Sequence, residues 1–154
     1  RFMMLFRSND VEIEFDFKKV LEKNKDNPVF YVQYCYARIN SIFKFTHPSK
    51  IKKIKLDDHK INNFELKLLR KIIEWPKIIN VASNKLEPHR IPYYLYELST
   101  IFHSYWTKGN EDPKFKFIKN GKMNNILSLK IFEIVSIILE NGMLILGVSL
   151  PKKM

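Results

Sequence analysis

One cysteine, four glycines, and sixteen acidic residues against twenty-seven basic ones are the scarcities of this 154-residue chain. A lone Cys35 cannot close an intramolecular disulfide, so the fold rests on its core and suits a reducing, cytoplasmic setting. Four glycines are too few for a glycine-rich phosphate cradle, and no GxGxxG, GxxxxGKS/T or GxSxG motif occurs. His47, His59, His89 and His103 lack the i,i+4 or CxxC-type spacing of a metal site, so no metal is expected. The most apolar stretch, 127–150, carries Lys130, Glu133 and Glu140 and breaks at Asn141-Gly142. A spanning helix wants about 20 apolar residues with few charges, so no membrane segment is expected. The apolar run in RFMMLFRSN is too short for a signal peptide. The chain starts with Arg rather than Met, which predicts that residue 1 is not the natural start.

Catalytic groups are equally sparse. Cys35 lies mid-helix with no histidine near it in sequence and reads as a small buried hydrophobe. Asp57-Asp58 reads as a turn or cap rather than a metal or acid–base pair. His103, on a long apolar helix, reads as a satisfied structural histidine. What remains is the pattern of a binder.

Hydrophobic residues make up 45% of the chain, enough for the core of one domain, with or without a remnant of another. The net charge of +11 points to a polyanionic partner, nucleic acid before membrane, although lysine beside abundant asparagine and isoleucine is also what compositional drift produces. The clearest signal is 27–45, NPVFYVQYCYARINSIFKF, opened by Asn as N-cap and Pro at the first helical position. At helical spacing Val29, Val32, Tyr36, Ile39 and Phe43 form a core stripe. Tyr31, Tyr34 and Arg38 fall roughly opposite and offer π-faces and a planar cation suited to unstacked bases and phosphates. A helix buried on both sides, with Arg38 in an internal ion pair, is the alternative.

Further helices are predicted over 64–75, from Pro76 to about 86, from Glu87-Pro88 to about 108, and over 123–141 with Gly142 as its αL terminator. The last has a narrow polar stripe and is expected to be central. Residues 49–58 read as a basic connector, and Phe115 and Phe117, in a turn-rich segment that includes Gly121, as docking on the surface. With no strand alternation of useful length, the fold class is all-α, a bundle of about five main helices.

These residues carry a resemblance. RFMMLFRSNDVEIEFDF followed by NPVFYVQYCYARINSI, then EPHRIPYYLYELSTIFHSYW, then ILSLKIFEIVSIILENGMLILGV and the terminal PKKM, together resemble arginyl-tRNA synthetase, a class I aminoacyl-tRNA synthetase. The resemblance falls at the end of its catalytic domain and on its C-terminal DALR-type anticodon-binding domain. It implies that 1–24 are the tail of an upstream catalytic domain or connector, on which Phe2, Met3 and Leu5 would pack, and that 25–154 form the anticodon-binding helical domain. The full-length family enzyme is an arginine–tRNA ligase that uses ATP and magnesium in an upstream domain. Its HIGH and KMSK-type motifs do not occur here, so this chain alone is expected to be inactive and to hold no cofactor.

The implied partner is an arginine-accepting tRNA, bound by a cytoplasmic monomer. In the family the tyrosines and arginine of the YxQYxxxR pattern lie against the anticodon loop. These correspond to Tyr31, Tyr34 and Arg38, and the terminal methionine to Met154. An aromatic following the family's FH pair corresponds to Tyr105 or Trp106, with Trp106 preferred, though core packing suits either. For Met154 the alternative is a disordered terminus. Many members carry Ala-His where this chain has Cys35-Tyr36, and an arginine where it has Ile126. A free-standing helical module binding RNA or protein, without catalytic activity, is the reading from a different class.

Overall fold

The structure, a computed structural model, describes residues 1–8, 10–12, 15–24, 26–46, 60–119, 122, 123 and 125–154. Among them, helices α1 (Phe2–Leu5) and α2 (Phe17–Leu21) precede α3 (Pro28–Phe43), α4 (Asn63–Asn84) and α5 (Arg90–Glu111). A 3-10 turn (Pro113–Phe115) and a two-residue hairpin, β1 (Ile118–Lys119) with β2 (Lys122–Met123), lead into α6 (Ile126–Ile145). The all-α reading holds, built on four long helices and these shorter pieces. The basic connector 49–58, His47, His59, the Asp57-Asp58 pair and Gly121 lie outside the described residues.

The predicted start of α3 is met. Asn27 is almost fully buried; its Oδ1 accepts from the Phe30 amide, and its Nδ2 donates to the carbonyls of Val20 and Glu22, tying α2 to α3. Val32, Tyr36 and Ile39 are buried as expected, Val29 and Phe43 half-buried. The Tyr36 hydroxyl donates to Glu140 of α6. Burial, then the carboxylate it bonds, pushes that hydroxyl up to about 12. Cys35 is fully buried, and burial raises its thiol to about 12, so it stays protonated at neutral pH.

Four local expectations are corrected. No break occurs at Trp75-Pro76: α4 runs through Pro76, although that ring forfeits a helical hydrogen bond. Packing on both sides of it holds the helix, with Leu68 and Ala82 buried and Trp75 against Tyr94 at 5.1 Å. Gly142 does not terminate α6. It is buried inside the helix, where a Cβ would come within 2.7 Å of the Leu95 side chain on α5, so glycine is the residue that lets these helices approach. Phe117 does not dock on the surface; it is buried between Tyr105 (4.7 Å) and Phe132 (5.0 Å). Phe2 is likewise buried within this chain, with Phe6 stacked beside it and tilted onto Tyr93. Helix α6 does touch α3, α4 and α5 as a central element, with Leu129, Phe132, Val135 and Leu139 fully buried, yet it leaves Ile134, Ile137 and Leu144 exposed.

The real terminator of α6 is Gly147, at φ +65°. Val148 N–H reaches the Met143 carbonyl and Gly147 N–H the Leu144 carbonyl, the Schellman pattern. Helix α4 ends the same way, with Glu87 N–H on the Ala82 carbonyl and Leu86 N–H on that of Ser83, but the αL position is Leu86, at φ +54° and largely exposed. A leucine there pays a steric penalty that glycine escapes. Leu86→Gly is therefore expected to raise the unfolding free energy by about 1 kcal/mol; a denaturant midpoint that falls instead would show that the Leu86 side chain stabilises more than its backbone strains.

Candidate nucleic-acid interface

Helix α3 places Tyr34, Ala37, Arg38, Ser41 and Lys44 along one face by its own periodicity. Helix α5 brings Trp106 against that face, and the C-terminal segment brings Lys152, Lys153 and Met154. Together these residues line a cleft of about 370 Å³. Its lining has four cationic side chains, Arg38, Lys44, Lys152 and Lys153, and among the described residues no Asp or Glu. The tail is held by Gln33, whose Nε2 donates to the Ser149 carbonyl at 2.9 Å, and by Val148 and Leu150 packed on the core.

Arg38 is the centre of the site. Its Cζ lies 4.2 Å from the Tyr34 ring centroid and 5.0 Å from that of Trp106. Nη2 donates to the Tyr34 hydroxyl at 3.1 Å, and Nη1 lies 3.1 Å from His103 Nδ1. A guanidinium has no acceptor, so His103 Nδ1 must be the unprotonated nitrogen. The ring proton is then on Nε2, which donates to the Tyr31 carbonyl at 3.2 Å. The internal ion pair considered for Arg38 is not formed among the described residues. It has instead an aromatic seat and a neutral imidazole, and its remaining N–H groups have no partner there.

His103 is 5% exposed. Burial above all, reinforced by the Arg38 charge and opposed by the Tyr31 carbonyl, lowers its pKa to about 4, so it is neutral at pH 7. Lys108 and Glu111 of α5 line the shallow hollow on its other side.

Four of the five residues singled out from sequence, Tyr34, Arg38, Trp106 and Met154, thus meet in one cleft. Tyr31 does not join them. Its ring tilts onto His103 at 4.3 Å and Tyr96 at 5.2 Å, and it lines the hollow that Lys108 and Glu111 share. Burial pushes its hydroxyl above the ordinary tyrosine value. Tyr105 and Trp106 separate cleanly. Tyr105 is buried and gives its hydroxyl to a core network, whereas Trp106 is half-buried at the cleft. Ser41 and Lys44 escaped the sequence reading although they continue the Tyr34–Arg38 spacing. The contact between His103 and Arg38 had no sequence signal, because it joins two helices.

Among the described residues no helix is long and apolar enough to cross a membrane, and no cluster of three or more His, Cys, Asp or Glu could hold a metal.

A family model described as the DALR anticodon binding domain matches residues 32–154. The chain is 50% identical over its whole length to an arginine–tRNA ligase of Pelagibacter ubique and 41% identical to one of Brucella anthropi. It spans 27% and 28% of the length of those relatives. An arginyl-tRNA synthetase structure from Thermus thermophilus superposes on 99% of the chain with a TM-score of 0.74 at 21% identity, a likeness of fold, over 25% of its own length. A Campylobacter jejuni structure assigned as an arginyl-tRNA synthetase superposes on 99% of the chain with a TM-score of 0.83 at 26% identity, over 32% of its own length. The family match takes in every residue of the cleft, and the chain belongs to the DALR anticodon-binding domain family.

Proposed function

We propose that this chain is the C-terminal tRNA-binding part of an arginine–tRNA ligase, with residues 1–24 leading from an upstream catalytic domain and 25–154 holding the anticodon stem-loop of an arginine-accepting tRNA. The observation that carries this reading is the cleft. Arg38 sits over Tyr34 and Trp106, and three lysines and Met154 line the same cleft. Aromatic and guanidinium planes are the surfaces on which unstacked bases settle, and the lysines supply the phosphate charge. In this reading Tyr34, Arg38 and Trp106 form the stacking platform, Met154 packs on a base, and Tyr31 supports His103 from behind while offering its exposed edge to the loop.

The chemistry with ATP and magnesium belongs to the upstream part. This chain's contribution is to bind and orient the tRNA, as a monomer in the cytoplasm.

The test is binding of the 154-residue chain to an arginine tRNA and to a non-cognate tRNA across a salt series. A preference for the arginine tRNA that persists as salt rises supports the anticodon reading. Equal binding that fades steeply with salt would reduce the interaction to the +11 charge. Arg38→Ala is expected to weaken binding of the arginine tRNA by roughly 1–3 kcal/mol with the fold intact. Unchanged affinity in a folded variant sinks the assignment of Arg38.

A further inference from the structure

We propose that His103 is a positioning residue for nucleic-acid binding: through its Nδ1 lone pair it holds the Arg38 guanidinium over Tyr34 and Trp106, so that the cleft presents a fixed cation instead of a swinging charge. This rests on the reading of the cleft as the tRNA site.

His103 stands behind the cleft, its other side bordering the hollow of Tyr31, Lys108 and Glu111. It is 5% exposed and is not among the residues that line the cleft. Both ring nitrogens are committed, Nδ1 toward Arg38 Nη1 at 3.1 Å and Nε2 toward the Tyr31 carbonyl at 3.2 Å. Turning the ring over would put C–H groups against both Arg38 and the Tyr31 carbonyl, and the other tautomer would set an N–H against a guanidinium, which has only donors. Two tyrosine rings steady it, Tyr31 at 4.3 Å and Tyr34 at 5.8 Å between centroids. Tyr34 OH fixes the second nitrogen of Arg38. An arginine side chain is rich in rotamers, and freezing it costs affinity when it happens on binding. Here helices α3 and α5 have already frozen it, and the acceptor that does so comes from α5.

The two amide substitutions at this position separate the roles of the two nitrogens. His103→Asn keeps an acceptor near the Nδ1 position and loses the donor to Tyr31. His103→Gln keeps a donor near the Nε2 position and loses the acceptor for Arg38. With an arginine tRNA transcript as the probe, His103→Gln is expected to weaken binding about fivefold, and His103→Asn by less than about twofold. In an Arg38→Ala background both substitutions should change affinity by less than about twofold, because the residue they act through is gone.

Equal losses for the two amides, or losses that add to that of Arg38→Ala, overturn the proposal and leave His103 a packing residue. If Arg38→Ala itself leaves affinity unchanged in a folded chain, the tRNA reading of the cleft falls first. Should the glutamine variant fail to fold, imidazole 15N NMR of the unmodified chain decides the matter. An unprotonated Nδ1 whose resonance moves in Arg38→Ala supports the proposal, and an Nδ1–H tautomer overturns it.

Discussion

Replacing Glu65 with alanine is expected to lower the unfolding free energy by about 4 kcal/mol, a large share of what a domain of this size possesses. Glu65 is fully buried, which only a dense set of donors makes tolerable. Its Oε2 accepts from the Asn62 backbone N–H at 2.9 Å, closing a capping box at the start of α4. Its Oε1 accepts from Asn125 Nδ2 at 2.7 Å and from Ser128 Oγ at 2.6 Å, both at the start of α6. The Asn62 side chain donates to Tyr105 OH, which shares a hydrogen bond with Ser128 Oγ, so a residue of α5 closes the ring. One carboxylate therefore sits at the N-termini of two helices, where the dipoles favour negative charge. Alanine strands the buried Ser128 hydroxyl, takes the acceptor from the half-buried donors of Asn62 and Asn125, and opens a cavity besides. Glu65→Gln keeps an acceptor for two of the donors and should cost less than half as much. Urea unfolding of both variants checks this. A midpoint for the alanine variant within error of the unmodified chain would mean the network contributes nothing net.

That network was invisible in the sequence for a physical reason. Glu65 reads locally as an ordinary first-turn acid on an amphipathic helix, and its burial depends on α6, sixty residues away. What local chemistry dictates was legible. Asn27-Pro28 could start α3 because both capping groups are adjacent in sequence, and the Val32–Tyr36–Ile39 stripe needed only helical periodicity. The errors came where a local signal met a tertiary contact. Pro76 weakens a helix that packing on α5 then preserves. Gly142 resembles a terminator but serves the approach of Leu95, while the true αL positions are Gly147 and, against expectation, Leu86. At helical spacing Phe64, Leu68, Leu69, Ile72 and Ile73 share one face of 64–75 and Lys67, Arg70, Lys71 and Glu74 the other, yet Ile73 is largely exposed and Lys71 is drawn between Glu74 and Glu97 over the Tyr94 ring.

The cleft divides along the same line. Tyr34 and Arg38 are one turn apart, so the wheel puts them on one face without knowledge of the fold. Trp106 and Met154 reached the list only through the family resemblance, since nothing in their own neighbourhood says that α5 and the tail converge on α3. Tyr31 passed the wheel test yet faces the other hollow, because ring contacts with His103 and Tyr96 turn it there.

Acidification is expected to cost the fold about 3 kcal/mol through His103 alone, and the direction follows from its surroundings. The folded chain lowers the pKa of His103 to about 4 from its ordinary 6.5. Protonation would add a buried charge and set an Nδ1–H against the Arg38 guanidinium. The unfolded chain has no such obstacle and binds the proton below about pH 6.5. The stabilising contribution is therefore fully present above about pH 6.5 and is lost as the pH falls through the interval down to about 4, below which both states are protonated. Other groups titrate in the same range, so the informative quantity is the difference in stability between the unmodified chain and H103N, whose amide does not titrate. That difference should be constant above about pH 7 and shift against the unmodified chain by about 3 kcal/mol by pH 4. A flat difference across the interval would mean that the folded chain accepts a proton on His103 freely. Nδ1 would then not be committed to Arg38, and the fixed cation at the cleft would lose its support.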